Sequence, residues 1–143
     1  MKAIFAARDI DGHGTGAGRL RREPRILMRV KKGSYFGTEI DGKWWKRYGA
    51  ATFFARGNGE FSMDTDGIHF LRTLTSQPLS ISWTETTEAR LGKSHAGRWA
   101  MGRPILKVGF VRDGQSLTAG FSLSSDWEAM QRLADDLQRK MAR

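Results

Sequence analysis

Lys43-Trp44-Trp45-Lys46-Arg47-Tyr48 packs aromatic and cationic side chains into a single short run. Successive side chains of an extended strand point to opposite faces, so Lys43, Trp45 and Arg47 share one face and Trp44, Lys46 and Tyr48 the other. A tryptophan between two cations offers a π plane beside positive charge, which holds a base, a headgroup or an acidic segment by stacking plus attraction. The plainer account is that one tryptophan fills the core and the other is covered by the N-terminal segment or by a second subunit. A second run lies between Glu88 and Asp113, where no acid occurs and Arg90, Lys93, Arg98, Arg103, Lys107 and Arg112 accompany His95 and Trp99. Alternation places His95, Gly97 and Trp99 on a common face, with Arg98 turned away unless Gly97 introduces a bulge. Gly97 and Gly102 allow an anion or a neighbouring strand to approach the backbone. The plainer account here is a solvated face on which arginine stems cover apolar area.

Other chemistry is thinly supported. Asp9-Ile10-Asp11-Gly12 resembles the aspartyl-phosphate loop of haloacid-dehalogenase phosphatases, and His13-Gly14-Thr15-Gly16-Ala17-Gly18 resembles the histidine motif of subtilisin-like proteases. The first chemistry needs a parallel α/β sheet behind the loop and the second a nucleophilic serine in a Gly-Thr-Ser-Met-Ala context, which the chain lacks. Asp9, Asp11 and His13 are ligand types for a metal, but a glycine-rich segment holds ligands poorly. His69 sits between Ile68 and Phe70 and is expected on the face opposite the apolar one. Glu39/Asp41, Asp64/Asp66 and Glu85/Glu88 fall in or near turns, where Asp serves the backbone. There is no cysteine, so thiol catalysis and thiolate metal sites are excluded. The expectation is a non-enzymatic protein with no metal and no cofactor.

The elements that position these residues follow from length and pattern. A chain of 143 residues is one domain. Its 24 Lys and Arg against 15 Asp and Glu give a formal charge of +9, which attracts nucleic acid, acidic protein or an anionic surface. No apolar run approaches the roughly 20 residues that cross a bilayer, and the start is too short of apolar residues for a secretory signal. A cytoplasmic protein is expected. Residues 1–24 read as a flexible basic Gly-rich tail, and residues 25–143 as the domain. Within it, short runs of β-branched and aromatic residues are separated by Lys32-Gly33, Asp41-Gly42, Gly57-Asn58-Gly59, Asp66-Gly67, Leu91-Gly92 and Asp113-Gly114, the spacing of an antiparallel sheet of about seven strands. From Ser116 to Leu123 the odd positions are apolar and the even ones small or polar, predicting one core face and one wet face. Leu106, Val108 and Phe110 form the matching strand across Asp113-Gly114. At the end Trp127, Met130, Leu133, Ala134, Leu137 and Met141 make one stripe on an amphipathic helix, with Ser125 and Glu128 as its capping box and Glu128/Arg132, Asp135/Arg139 and Asp136/Lys140 as four-apart ion pairs.

About seven antiparallel strands closed by one C-terminal amphipathic helix resembles the pleckstrin-homology (PH) superfold, including its GRAM-like members, and Trp127 is similar to the helix tryptophan that PH domains pack into the barrel. The patterns around Trp44-Trp45, Gly59-Glu60-Phe61-Ser62-Met63, His95-Ala96-Gly97-Arg98-Trp99 and Gly120-Phe121-Ser122-Leu123-Ser124 also resemble small bacterial proteins of unknown function. The resemblance implies a mainly β, PH-like barrel over residues 25–142 that binds rather than catalyses. Arg29, Lys31 and Lys32 lie near a turn where phosphoinositide-holding PH domains carry basic residues, without the matching Lys-x-n-Arg-x-Arg spacing. The expected function is recognition of an acidic protein segment, or self-association, through Lys43, Trp45, Arg47, His95, Arg98, Trp99 and Arg103. Single-stranded nucleic acid is the alternative ligand and an anionic lipid surface a third.

Overall fold

The computed structural model describes residues 25–49 and 55–141; the segment 1–24, with its Asp9, Asp11 and His13 and the expected tail, lies outside the described residues. In chain order the elements are β1 (Ile26–Ile40), β2 (Lys43–Arg47), β3 (Gly57–Asp64), β4 (Gly67–Arg72), β5 (Leu79–Ser82), β6 (Thr86–Gly92), β7 (Ser94–His95), β8 (Arg98–Trp99), β9 (Ile105–Arg112), β10 (Gln115–Ser122) and α1 (Trp127–Met141). Strand β1 organises them. Its first part pairs with β3, from Ile26↔Asp64 to Tyr35↔Gly57, and its last part pairs on the opposite side with β10, from Ser34↔Ser122 to Ile40↔Leu117. The resulting path β5-β4-β3-β1-β10-β9-β6 is antiparallel throughout. Among the described residues strand β2 pairs only with the end of β1, and β7 with β8 forms a separate two-stranded ribbon.

Against about seven strands expected, ten are described, seven on the main path and β2, β7 and β8 off it. The sheet is not closed into a barrel: its terminal strands β5 and β6 do not pair with each other. They are joined at one corner by residues 83–85, where Glu85 holds Arg112 at 2.8 Å and Arg112 also donates to the Ser80 carbonyl. Farther along, β6 is met by the helix instead of a strand, and the outward N–H of Ala89 donates to Oε1 of Gln138 at 2.8 Å. A helix side chain thus satisfies an edge donor that a closed barrel would pair with backbone.

One face of the curved sheet holds an aromatic centre. Phe121 lies 5.2–5.5 Å, ring to ring, from Phe61, Tyr35 and Phe70. The stripe on α1 adds Met130, Ala134 and Leu137, all buried against the same cluster. Trp127 departs from expectation: it stays 38% exposed and donates from Nε1 to the Gly102 carbonyl, so it does not pack into the core. The helix cap is also displaced by one residue, since Asp126 rather than Ser125 accepts the Ala129 N–H. Asp136 pairs with Arg139 one turn on, at i+3.

Asp41-Gly42 and Asp113-Gly114 reverse the chain as expected, with φ of 54° and 69°, then 54° and 74°, the both-positive geometry of a two-residue hairpin turn. Gly33, Gly57 and Gly59 are not turn residues; they lie inside β1 and β3, and Leu91-Gly92 ends β6. A Cβ on Gly59 would stand 2.2 Å from the Leu71 carbonyl oxygen, so this glycine serves close approach between strands. Among the described residues no helix is long and apolar enough to cross a membrane. Docking of the helix is testable. Leu137→Ala removes a fully buried side chain, and its expected cost is about 2–5 kcal/mol, read as a lower urea midpoint at unchanged slope.

Candidate functional site

The face of the sheet opposite the aromatic core is the informative one. On β10, Leu117, Ala119, Phe121 and Leu123 face the core as expected, yet the face predicted to be wet is covered: Thr118 is 8% exposed, and Gly120 and Ser122 are buried. The β7–β8 ribbon covers it. Gly37 of β1 pairs across from Gly120 of β10, and Gly120 from Lys107 of β9, so two adjacent strands present a floor without side chains. The imidazole of His95 lies on that floor, where a Cβ on Gly120 would be 2.4 Å from its Cδ2. Beside it lies the guanidinium of Arg47, whose Nε is 3.0 Å from where a Cβ on Gly37 would stand. Gly37 has a φ of 106° and follows a bulge that leaves Phe36 without a partner on β10, so substitution there is strained as well as crowded.

His95 is 1% exposed. Its Nε2–H donates to the Gly37 carbonyl at 3.0 Å, while Nδ1 faces Oε2 of the buried Glu39 at 3.5 Å without a hydrogen bond. That carboxylate oxygen accepts instead from the Ala96 N–H at 2.7 Å. Burial pushes the His95 pKa below the ordinary histidine value; the Glu39 charge opposes this and Lys107 reinforces it. Neutral imidazole, protonated on Nε2, fits this arrangement.

The ribbon turns at Ala96-Gly97, with φ of 49° and 83°. A left-handed alanine costs roughly 1–2 kcal/mol, and both polar ends of Ala96 are held: its N–H by Glu39 and its carbonyl by Nη2 of Arg56. Nε of Arg56 also donates to the Phe36 carbonyl at 2.8 Å, tying the residue that leads into β3 to the bulge in β1. Burial lowers the Arg56 pKa, and the like charges of Arg47 and Arg98 lower it further. Over the turn lies Trp44, whose ring would be 3.4 Å from a Cβ on Gly97. Trp44 meets Trp45 edge to face with centroids 5.6 Å apart, and each is 61% exposed.

The residues singled out in the sequence are therefore divided. Arg47 is half-buried on Gly37; Arg98 and Trp99 are exposed on β8; Arg103 is exposed, with Nε 3.3 Å from Oγ of Ser122; Lys43 and Trp45 lie on β2. His95 is not a surface contact at all. The expected sharing of a face by His95 and Trp99 fails because 94–99 is a hairpin rather than one strand: His95 pairs with Arg98, and Ser94 with Trp99. Trp44 is the tryptophan that lies against Gly97 of the ribbon turn. Arg56, Gly37 and Gly120 were not singled out as site residues, and Glu39, expected to serve a turn, is instead buried and accepts from the Ala96 N–H. A glutamate and glycines inside strand patterns were the available signals, but only pairing reveals that they meet. His69 joins Asp64 and Ser80 on the polar side of β4, and Asp64 accepts from the N–H groups of Asp66 and Gly67, the turn role expected of it.

No protein-family model matches the chain, and no curated protein does. Two outcomes test the geometry. Because His95 is held neutral when folded while an unfolded histidine titrates near 6.5, the unfolded chain binds more protons below that pH, and stability falls as pH drops from about 6.5 toward the lowered folded value. His95→Gln should flatten this acid limb in denaturation curves taken between about pH 7 and 5. Gly120→Ala should displace the ring, seen as loss of the His95–Gly37 hydrogen bond in histidine nitrogen spectra.

Proposed function

We propose that the protein is a non-enzymatic binding module on a PH-like scaffold, and that its basic, tryptophan-bearing face takes an acidic protein segment. What supports the scaffold is the element order: one continuous path of seven antiparallel strands followed by a C-terminal helix that covers the place where strand pairing stops. What carries the function is the surface at β2 and the ribbon. Trp44, Trp45 and Trp99 are all more than half exposed, and among the described residues no carboxylate forms an ion pair with Arg47, Arg56, Arg98 or Arg103. Tryptophan and arginine are the side chains that most often anchor interfaces, because they bury large area and bind charge at once. Among the described residues strand β2 pairs with β1 alone, which leaves a backbone edge for an extended segment to join. Self-association through the same edge is the homotypic form of this reading.

Tryptophan fluorescence during titration with a Glu/Asp-rich peptide tests it. Wild type should quench saturably, and the Trp44→Ala/Trp45→Ala double variant should bind at least about tenfold more weakly, a loss of roughly 1.4 kcal/mol, with unchanged thermal melting. Absence of saturable quenching at about 50 mM salt, together with a monomeric sedimentation profile, would count against the face as a protein-binding surface. Competition by a single-stranded oligonucleotide would move the assignment toward nucleic acid, whose bases stack on the same rings.

A further inference from the structure

Three arginines from distant parts of the chain are brought to the glycine floor and the ribbon turn beside it. Arg47 comes from β2, Arg56 from the residue before β3, and Arg98 from β8. Arg47 lies against Gly37, and its Nε is buried with no hydrogen-bond partner. A buried donor left without a partner is costly, the more so when it is charged. Arg56 uses Nε and Nη2 on the Phe36 and Ala96 carbonyls, which fixes its guanidinium beside the ribbon turn. Arg98 stands directly across the ribbon from His95, on the other side of that turn. Glu39, across from Arg47 in the β1–β2 ladder, accepts from the Ala96 N–H and forms no ion pair with an arginine. Like charges are thus gathered with no ion-paired carboxylate of their own among the described residues, and charge repulsion adds to the burial that lowers the Arg56 pKa.

We propose that Arg47, Arg56 and Arg98 form a notch for a dianionic oxyanion of the phosphate class, floored by Gly37 and walled by the Ala96-Gly97 turn. The proposal rests on the reading of this face as the docking surface and names the group that anchors there. A carboxylate brings one negative charge and would leave this cluster strongly positive. A phosphate dianion brings two charges and enough acceptor lone pairs to engage several guanidinium donors at once. Its source is either free phosphate or a phosphorylated side chain on the acidic segment.

The test is titration of the full chain with sodium phosphate at constant ionic strength, following the arginine Nε–Hε resonances by NMR. The Arg47 resonance should shift saturably, and Arg98→Gln, a change at an exposed position, should weaken binding about tenfold while leaving thermal melting unchanged. A phosphoserine peptide that binds more tightly than both inorganic phosphate and its unphosphorylated form identifies a phosphorylated partner as the source; saturation by inorganic phosphate alone identifies the free ion. Shifts that do not saturate, or that are identical in Arg98→Gln, overturn the notch. If the Glu/Asp-rich peptide then still binds wild type and Arg98→Gln alike, the acidic-partner face stands without it. If phosphate saturates but no acidic peptide binds, the notch stands and that partner reading falls.

Discussion

Strand β1 carries two partnerships in succession, and the rest of the molecule is arranged around the change. Over its first part the backbone is paired to β3, over its last part to β10 on the other side, with a short overlap at Ser34 and Tyr35 where both are present. Next to that overlap, Phe36 falls in a bulge and Gly37 takes a positive φ. Bulges increase local twist and bend the strand that carries them. The bend lets one curved sheet enclose Phe61, Phe70, Phe110 and Phe121 on its inner face, while the freed Phe36 carbonyl becomes the seat of Arg56 on the outside. The core and the polar face are consequences of the same local deformation.

On the outer face, polar groups are buried because the backbone has first removed the side chains beneath them. Gly37 and Gly120 open a depression that His95 and Arg47 fill, and the ribbon closes over it. Such burial is tolerable where each group finds a partner. His95 has the Gly37 carbonyl, Glu39 has the Ala96 N–H, and Arg56 has two carbonyls. The strained turn at Ala96 is held at both polar ends by these partners, so the ribbon's position is coupled to the placement of Glu39 and Arg56. Arg47 Nε and His95 Nδ1 are the two buried side-chain atoms left unpaired among the described residues, and both lie on this floor. Local under-satisfaction of this kind concentrates where a surface serves something other than stability.

Much of the architecture was legible from periodicity. The alternation of Leu106, Val108 and Phe110 against Leu117, Ala119 and Phe121, the Asp113-Gly114 reversal, and the helical stripe of Met130, Ala134 and Leu137 are all local patterns, and all recur in the structure. The candidate face was legible only as composition. Lys43 to Arg47 and the acid-free stretch from Arg90 to Arg112 marked where charge and tryptophan coincide, but not that His95 turns inward, that Trp44 lies against Gly97 of the ribbon turn, or that Arg56 belongs with them.

The reason is the range of the forces involved. Period-two and period-3.6 hydrophobicity is written into neighbouring residues, so the mainly antiparallel sheet, the C-terminal helix, the excess positive charge and the absence of thiol chemistry were determined by the sequence itself. A glycine that opens a turn and a glycine that admits another chain are the same letter: Gly42 and Gly114 take the first role, Gly59 and Gly120 the second, and only the packing around them tells which. Whether the sheet closes, which face the ribbon covers, and which arginine lies over Gly37 depend on contacts between residues up to tens of positions apart, such as His95 with Gly37 and Ala96 with Glu39. Those contacts were decided by the tertiary structure, because they form only after the chain's loops have closed and their geometry exists in no local segment.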